Sequence, residues 1–234
     1  MESRLSIEDE DHYLRTFEDL LYDSVYLLYL AIDTNQEDYK DDIVSTLIRS
    51  SVLNSILLLE CASNCVIDVL ELPQKFYNDI EKLPFISKYE FFLDKIRSEA
   101  KFDRGCKEVQ AISELKSIRD LYVHPKVSTR KYQIINEHVR NADYGSTNML
   151  GFPREPKLWT IEHAILSLRS TNDFFNKFFL EWCALSQDQV VDVLLSSNKA
   201  VLDQPQGAAI DCVGGLDRAV KEWGIDFEFI GKQI

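Results

Sequence analysis

Residues 41–72 read DDIVSTLIRSSVLNSILLLECASNCVIDVLEL. No glycine or proline interrupts the run. Asp41 and Asp42 stand where a helix N-terminus favours negative charge, and Pro73 follows where a helix should have closed. One helix over 41–72 would be roughly 48 Å long at 1.5 Å per residue. It is apolar nearly all round, so it belongs at the centre of the molecule. Its exceptions, Glu60, Asn64, Asp68 and Glu71, recur at helical spacing and form one polar stripe. That stripe is either a solvent-facing seam or a row of groups facing another helix across the core.

The flanks keep the helical period. Tyr13, Leu14, Phe17, Leu20, Leu21, Val25 and Leu28 predict a helix over 12–32, closed by a turn at Thr34–Gln36. Residues 74–104 predict shorter helical pieces broken at Pro84, one of them amphipathic through Lys88, Phe91, Phe92, Lys95 and Ile96. Gly105 breaks the chain before a helix over 107–123. Residues 125–159 lack a strong period, apart from a short helix read at 133–140. A long irregular segment in a compact domain is often functional, so 125–159 reads as a lid starting at His124 or as ordinary surface packing. Thr160 is placed to cap a helix over 161–184, with Phe174, Phe175, Phe178 and Phe179 in the core.

The helix over 107–123 carries the chemistry. Its apolar stripe comprises Ile112, Leu115, Ile118, Tyr122 and Val123, and Arg119 falls about 20° from Ile112, inside that stripe. A charge within an apolar face is costly unless it is paired or used. Arg119 therefore either snorkels past its neighbours or lines a cleft shared with another subunit. Asp120 and His124 are four apart and sit on one side of the helix. Pro125 has no N–H and turns His124 away from helical geometry, which releases the imidazole at the helix end. A guanidinium, a carboxylate and an imidazole at one helix end can hold a phosphate and move protons together, since imidazole changes charge near neutrality.

The segment Arg119-Asp120-Leu121-Tyr122-Val123-His124 resembles the Arg-polar-x3-His signature of HEPN domains. Residues 53–64, LNSILLLECASN, are similar to the long second helix of such domains, and residues 168–179, LRSTNDFFNKFF, to their last helix. The resemblance covers about residues 12–184. It implies an all-α, up-and-down four-helix bundle and, in many members, a metal-independent RNase site in which a 2′-OH attacks its own phosphodiester. It implies His124 as the proton-moving group, Arg119 as the group that stabilises the phosphorane, and Asp120 as the residue orienting them. Glu60 and Asn64 would support them from across the bundle. It further implies a homodimer with a composite site. Toxin–antitoxin modules fit the same family, with an antitoxin or nucleotidyltransferase-type partner. Two other classes stand beside this reading. One is a non-catalytic module binding a protein or nucleotide, and the other is a helical scaffold in which Arg119 and His124 are structural.

Charge separates these readings only locally. The net charge of −13 argues against general coating of nucleic acid. Residues 116–131, however, hold Lys116, Arg119, Lys126, Arg130 and Lys131 against Asp120 alone, a net of +4 that leaves −17 elsewhere. This island is either an ordinary solvated cluster or the RNA-facing surface. The chain divides into a bundle, 1–185, and a C-terminal appendage, 186–234. The appendage contains short helices at Val190–Leu195 and Leu216–Trp223, and an alternating 225–229 that reads as a short strand or an extended tail.

Hydrophobic residues make up 45% of the 234, enough for a real core, and eight Gly and six Pro suit a helical protein. The longest uninterrupted apolar runs, 25–32 and 56–59, are too short to span a bilayer, and an acidic N-terminus is unlike a secretory signal. Five scattered Cys without a CxxC pair fit a reducing cytoplasm, with Cys61 and Cys65 as small core residues. Neither Cys nor His clusters, so no metal and no cofactor is expected. Gly214-Gly215 lacks the spacing of a dinucleotide loop, and His12, His138 and His163 have no telling partner.

Overall fold

The computed structural model describes residues 14–35, 41–124, 127, 132–134, 140–142, 144–195, 202 and 216–231. These are overwhelmingly helical. Eight α-helices occur among them: α1 (Phe17–Asn35), α2 (Asp41–Asp68), α3 (Gln74–Ile80), α4 (Phe85–Ile96), α5 (Lys107–Val123), α6 (Ile161–Phe175), α7 (Gln187–Leu194) and α8 (Leu216–Trp223).

The long helix α2 is the hub, packing against α1, α4, α5, α6 and α7. Its small polar residues explain how neighbours come so close. Ser51 and Ser55 are fully buried. The Ser51 hydroxyl donates to the Ser24 carbonyl of α1 at 2.7 Å, and the Thr171 hydroxyl of α6 donates to the Ser55 carbonyl at 3.1 Å. Short side chains bring the backbones together, and the hydroxyls of Ser51, Ser55 and Thr171 each keep a partner. On another side Tyr89 of α4 is fully buried and donates to the Leu59 carbonyl at 2.7 Å.

Several boundaries differ from the sequence reading. Helix α2 closes at Asp68, not at 72, because the chain tightens into i→i+3 bonds, turns through Glu71 at φ 48°, and meets Pro73. Helix α1 starts at Phe17 and runs through Thr34 to Asn35. Residues 14–16 are not helical and Leu14 is exposed, while Tyr13 lies outside the described residues. By length and hydropathy the stretch Asp42–Asp68 is apolar enough to cross a membrane, although its uninterrupted apolar runs are short, because Ser, Asn and Cys between them weigh little. In this fold 61% of its apolar window is buried inside the protein.

Where the sequence predicts a helix at 133–140, the described residues are strand, and 135–139 lie outside the described residues. Here β1 (Tyr132–Ile134) pairs antiparallel with β2 (Arg140–Ala142), Gln133 opposite Asn141. Tyr and Ile at alternate positions suit a strand. The described part of the loop, 144–159, is anchored: Phe152 and Trp159 are buried, which for these residues fits packing and not a free lid.

Helix α6 begins at a capping box, in which Thr160 and His163 exchange side-chain and backbone hydrogen bonds. It continues as a π-helical turn, Asn176–Trp182. Phe174, Phe175, Phe178 and Phe179 all lie in the core. The extra residue per turn carries α6 into the C-terminal segment. Asn172 and Asn176 both donate to one oxygen of Asp226, at 3.1 and 2.8 Å, and accept from the backbone N–H of Phe227 and Phe229, at 3.0 and 2.9 Å. This explains why 225–229 is neither strand nor loose tail. The amides of Phe227, Glu228 and Phe229 are taken by side chains, Phe227 turns left-handed at φ 47°, and Glu228–Ile230 closes as a 3-10 turn.

Candidate functional site

Helix α5 occupies the residues its sequence predicts and buries Val109, Ala111, Ile112, Leu115 and Ile118. Tyr122 and Val123 do not share that burial. They are 39% and 51% exposed, because the last turn of α5 projects beyond the core. His124 is the C-cap and its N–H donates to the Asp120 carbonyl at 3.0 Å. Its side chain is exposed.

Arg119 is closed within its own chain. Its side chain is only 16% exposed and is ion-paired with Glu60 of α2. Nη1 also donates to Asp120 Oδ1 at 2.9 Å. Nε is buried and has no partner among the described residues, which hold the guanidinium from its outer end. The other Asp120 oxygen, Oδ2, accepts from Lys116 Nζ at 2.6 Å. Glu60, Arg119, Asp120 and Lys116 thus alternate in sign along one chain of contacts. Asn64 does not join it. Its Oδ1 accepts from Lys88 Nζ at 2.7 Å. Lys88 is 7% exposed, and burial lowers its pKa.

Two cavities flank α5. One, of about 320 Å³, is lined by Glu60, Asn64, Lys82, Lys88, Lys116 and Arg119. The other, of about 660 Å³, is lined by Ser113, Lys116, Ser117, Asp120, Leu121 and His124. Arg119 and His124 are therefore not neighbours in one cleft: five positions apart on a helix, they face about 140° apart. Lys116 lines both cavities, and Asp120 links the buried guanidinium to the one that His124 lines. Lys126, Arg130 and Lys131, the rest of the basic island, lie outside the described residues.

Lys88 and Glu114 escaped the sequence reading as site residues. The signal for Lys88 is the same as for Arg119, a cation inside an apolar stripe, here Phe85, Tyr89, Phe92 and Leu93. Glu114 gathers the backbone N–H groups of Asn148, Met149 and Leu150 at 3.0, 2.9 and 2.9 Å. Burial pushes its pKa up, but these donors and Thr147 outweigh it and hold the carboxyl below its usual range. No local pattern announces such a pairing, because its donors are backbone groups 34–36 positions away. In the pinned loop Met149 and Leu158 are 45% and 48% exposed, and at the end of α5 Leu121, Tyr122 and Val123 are also exposed. The Tyr122 and Trp159 rings lie 6.1 Å apart, so the end of the loop meets the end of α5.

Set against family models, curated proteins and solved structures, this chain matches none of them.

Proposed function

We propose that the chain is a HEPN-like, up-and-down four-helix bundle, with α1, α2, α5 and α6 as its members, that cleaves single-stranded RNA without a metal at the C-terminal end of α5. The observation that supports this most is the linkage at Asp120, which accepts from Arg119 and Lys116 while lining, with Lys116, the cavity onto which His124 opens. In this reading His124 moves the proton of the attacking 2′-OH and of the leaving oxygen. Lys116, which lines both cavities, meets the phosphate charge, and Arg119 backs it from the buried side through Asp120, which orients the two. One chain supplies few groups, and the exposed apolar residues around His124 suit a second copy, which would bring two α5 ends to one cleft.

Full-length protein is incubated with single-stranded RNA in EDTA. The proposal expects products ending in 2′,3′-cyclic phosphate, and a loss of about 10²–10⁴ in rate in His124→Ala with an unchanged melting temperature. Cleavage that persists in His124→Ala, or that stops on chelation, overturns it. Monomer alone in light scattering at micromolar concentration overturns the shared cleft.

A second reading has its own support. Arg119 is mostly buried and bonded within its own subunit, as in a helical module that binds a protein partner and cleaves nothing. Stable protein with no cleavage by either form favours it.

A further inference from the structure

Cys61 and Cys65 stand one helical turn apart on α2 and open onto a cavity of about 290 Å³, closed on its far side by the segment before α1. Four positions apart on one helix, the two thiols face the same side, and the Cys61 sulfur lies 3.5 Å from the Thr16 hydroxyl. Cys61 is partly accessible, whereas Cys65 is buried. Arg15, 5% exposed at its side chain, lines the same cavity with its guanidinium 4.0 Å from the Asp68 carboxylate, and Tyr77 completes the wall. At about 30 Å³ per water the space holds a molecule of several heavy atoms.

We propose that Cys61 and Cys65 form an oxidisable thiol site, in which a small hydroperoxide converts Cys61 to a sulfenic acid. The Cys61 thiolate attacks the distal oxygen, the S–O bond forms and the O–O bond breaks. Sulfur loses two electrons, and the leaving oxygen takes a proton from water as hydroxide or alkoxide becomes water or alcohol. Cys65 stabilises the thiolate by donating its S–H. It does not go on to a disulfide, because side chains four apart on a helix have Cβ atoms about 5–6 Å apart and a disulfide needs about 3.5–4.5 Å. The product therefore stays a sulfenic acid, which a small thiol can reverse. This site is independent of the RNA reading.

Hydrogen bonding from Cys65 first, with help from Thr16, draws the Cys61 pKa down to about 7 against the opposing effect of burial, and pushes that of Cys65 up. At pH 6.5 Cys61 is then about one-quarter thiolate, against about one-hundredth for an ordinary thiol. Its lower intrinsic nucleophilicity takes back about fivefold, leaving it about fivefold faster than an ordinary exposed cysteine. The full chain is treated with hydrogen peroxide and dimedone at pH 6.5, and adducts are mapped over all five cysteines. The expected result is an adduct concentrated at Cys61. Cys65→Ala should slow it severalfold and move the alkylation midpoint to higher pH, while Cys65→Ser keeps most of the rate. Adducts spread evenly or placed elsewhere, an unchanged pH profile in Cys65→Ala, or a Cys61–Cys65 disulfide would each overturn the proposal.

Discussion

Glu60 and Arg119 offer a double-mutant cycle whose size follows from their surroundings. Glu60→Gln keeps the shape and removes the charge, leaving a guanidinium 16% exposed with Asp120 as its remaining acid and Nε unpartnered among the described residues. Breaking a fully buried pair costs about 3–5 kcal/mol. Glu60 is 31% exposed and Asp120 remains, so about 2 kcal/mol is expected. Arg119→Met removes the cation but preserves the packing of the stem. It leaves Glu60 able to hydrate and Asp120 held by Lys116, so about 1 kcal/mol is expected. The double variant has no stranded charge and should cost less than the sum, with a coupling of about 1 kcal/mol. The assay is urea unfolding followed by far-ultraviolet circular dichroism at fixed m. In a chain of this size Glu60→Gln should lower Tm by about 4–8 °C. A loss under about 0.5 kcal/mol for Glu60→Gln, with additive single effects, is the behaviour of a solvated surface pair and would refute the reasoning.

Three further outcomes are expected. Arg119→Lys should fail to restore RNA cleavage lost in Arg119→Met, because lysine carries the charge without the planar fork; cleavage by the Lys variant at wild-type rate would refute the role given to Arg119. Glu114→Ala should cost about 1–2 kcal/mol in urea unfolding, since the three amides it releases are near solvent and can hydrate, and should speed proteolysis within 145–151; unchanged proteolysis would refute the anchoring. Burial lowers the His163 pKa from its usual value, so the unfolded chain binds the extra proton: the stability contributed is complete above about pH 6.5 and fades as pH falls through the lowered value. Wild type should therefore lose Tm relative to His163→Gln between pH 7 and 5, and parallel curves for the two would count against this capping role.

The helical character was legible because its signals are local. Helices α5 and α8 occupy the predicted residues, bracketed for α5 by Gly105 and His124-Pro125. The phenylalanines of 174–179 lie in the core as their spacing demands. What escaped depended on distant partners. The β1–β2 ribbon needs two strands to meet, and a three-residue strand has no period to read. The fate of 225–229 is decided by Asn172 and Asn176, about 50 positions earlier. At the candidate site, the polar stripe on α2 pointed to Glu60, and Glu60 does meet Arg119. Asn64, on the same stripe, is instead taken by Lys88. A helical wheel states that two residues share a face; it does not state which cation of a neighbouring helix arrives there. The separation of Arg119 from His124 was in the wheel, at five positions, but became meaningful only once two distinct cavities were seen.

Phe17 opens α1, Phe229 lies in the closing 3-10 turn, and their rings meet edge to face with centroids 6.3 Å apart, both against Phe175. A ribosome emits Phe17 long before Phe229. Until the later ring arrives, the half-made nest around Phe175 and Phe179 faces water. The nascent helices can collapse early, yet the last lock on the structure is a contact between the two ends of the described chain. Closing so wide a loop is entropically slow. Synthesis that stalls between α6 and Phe229 would leave a sticky intermediate of the kind that chaperones capture.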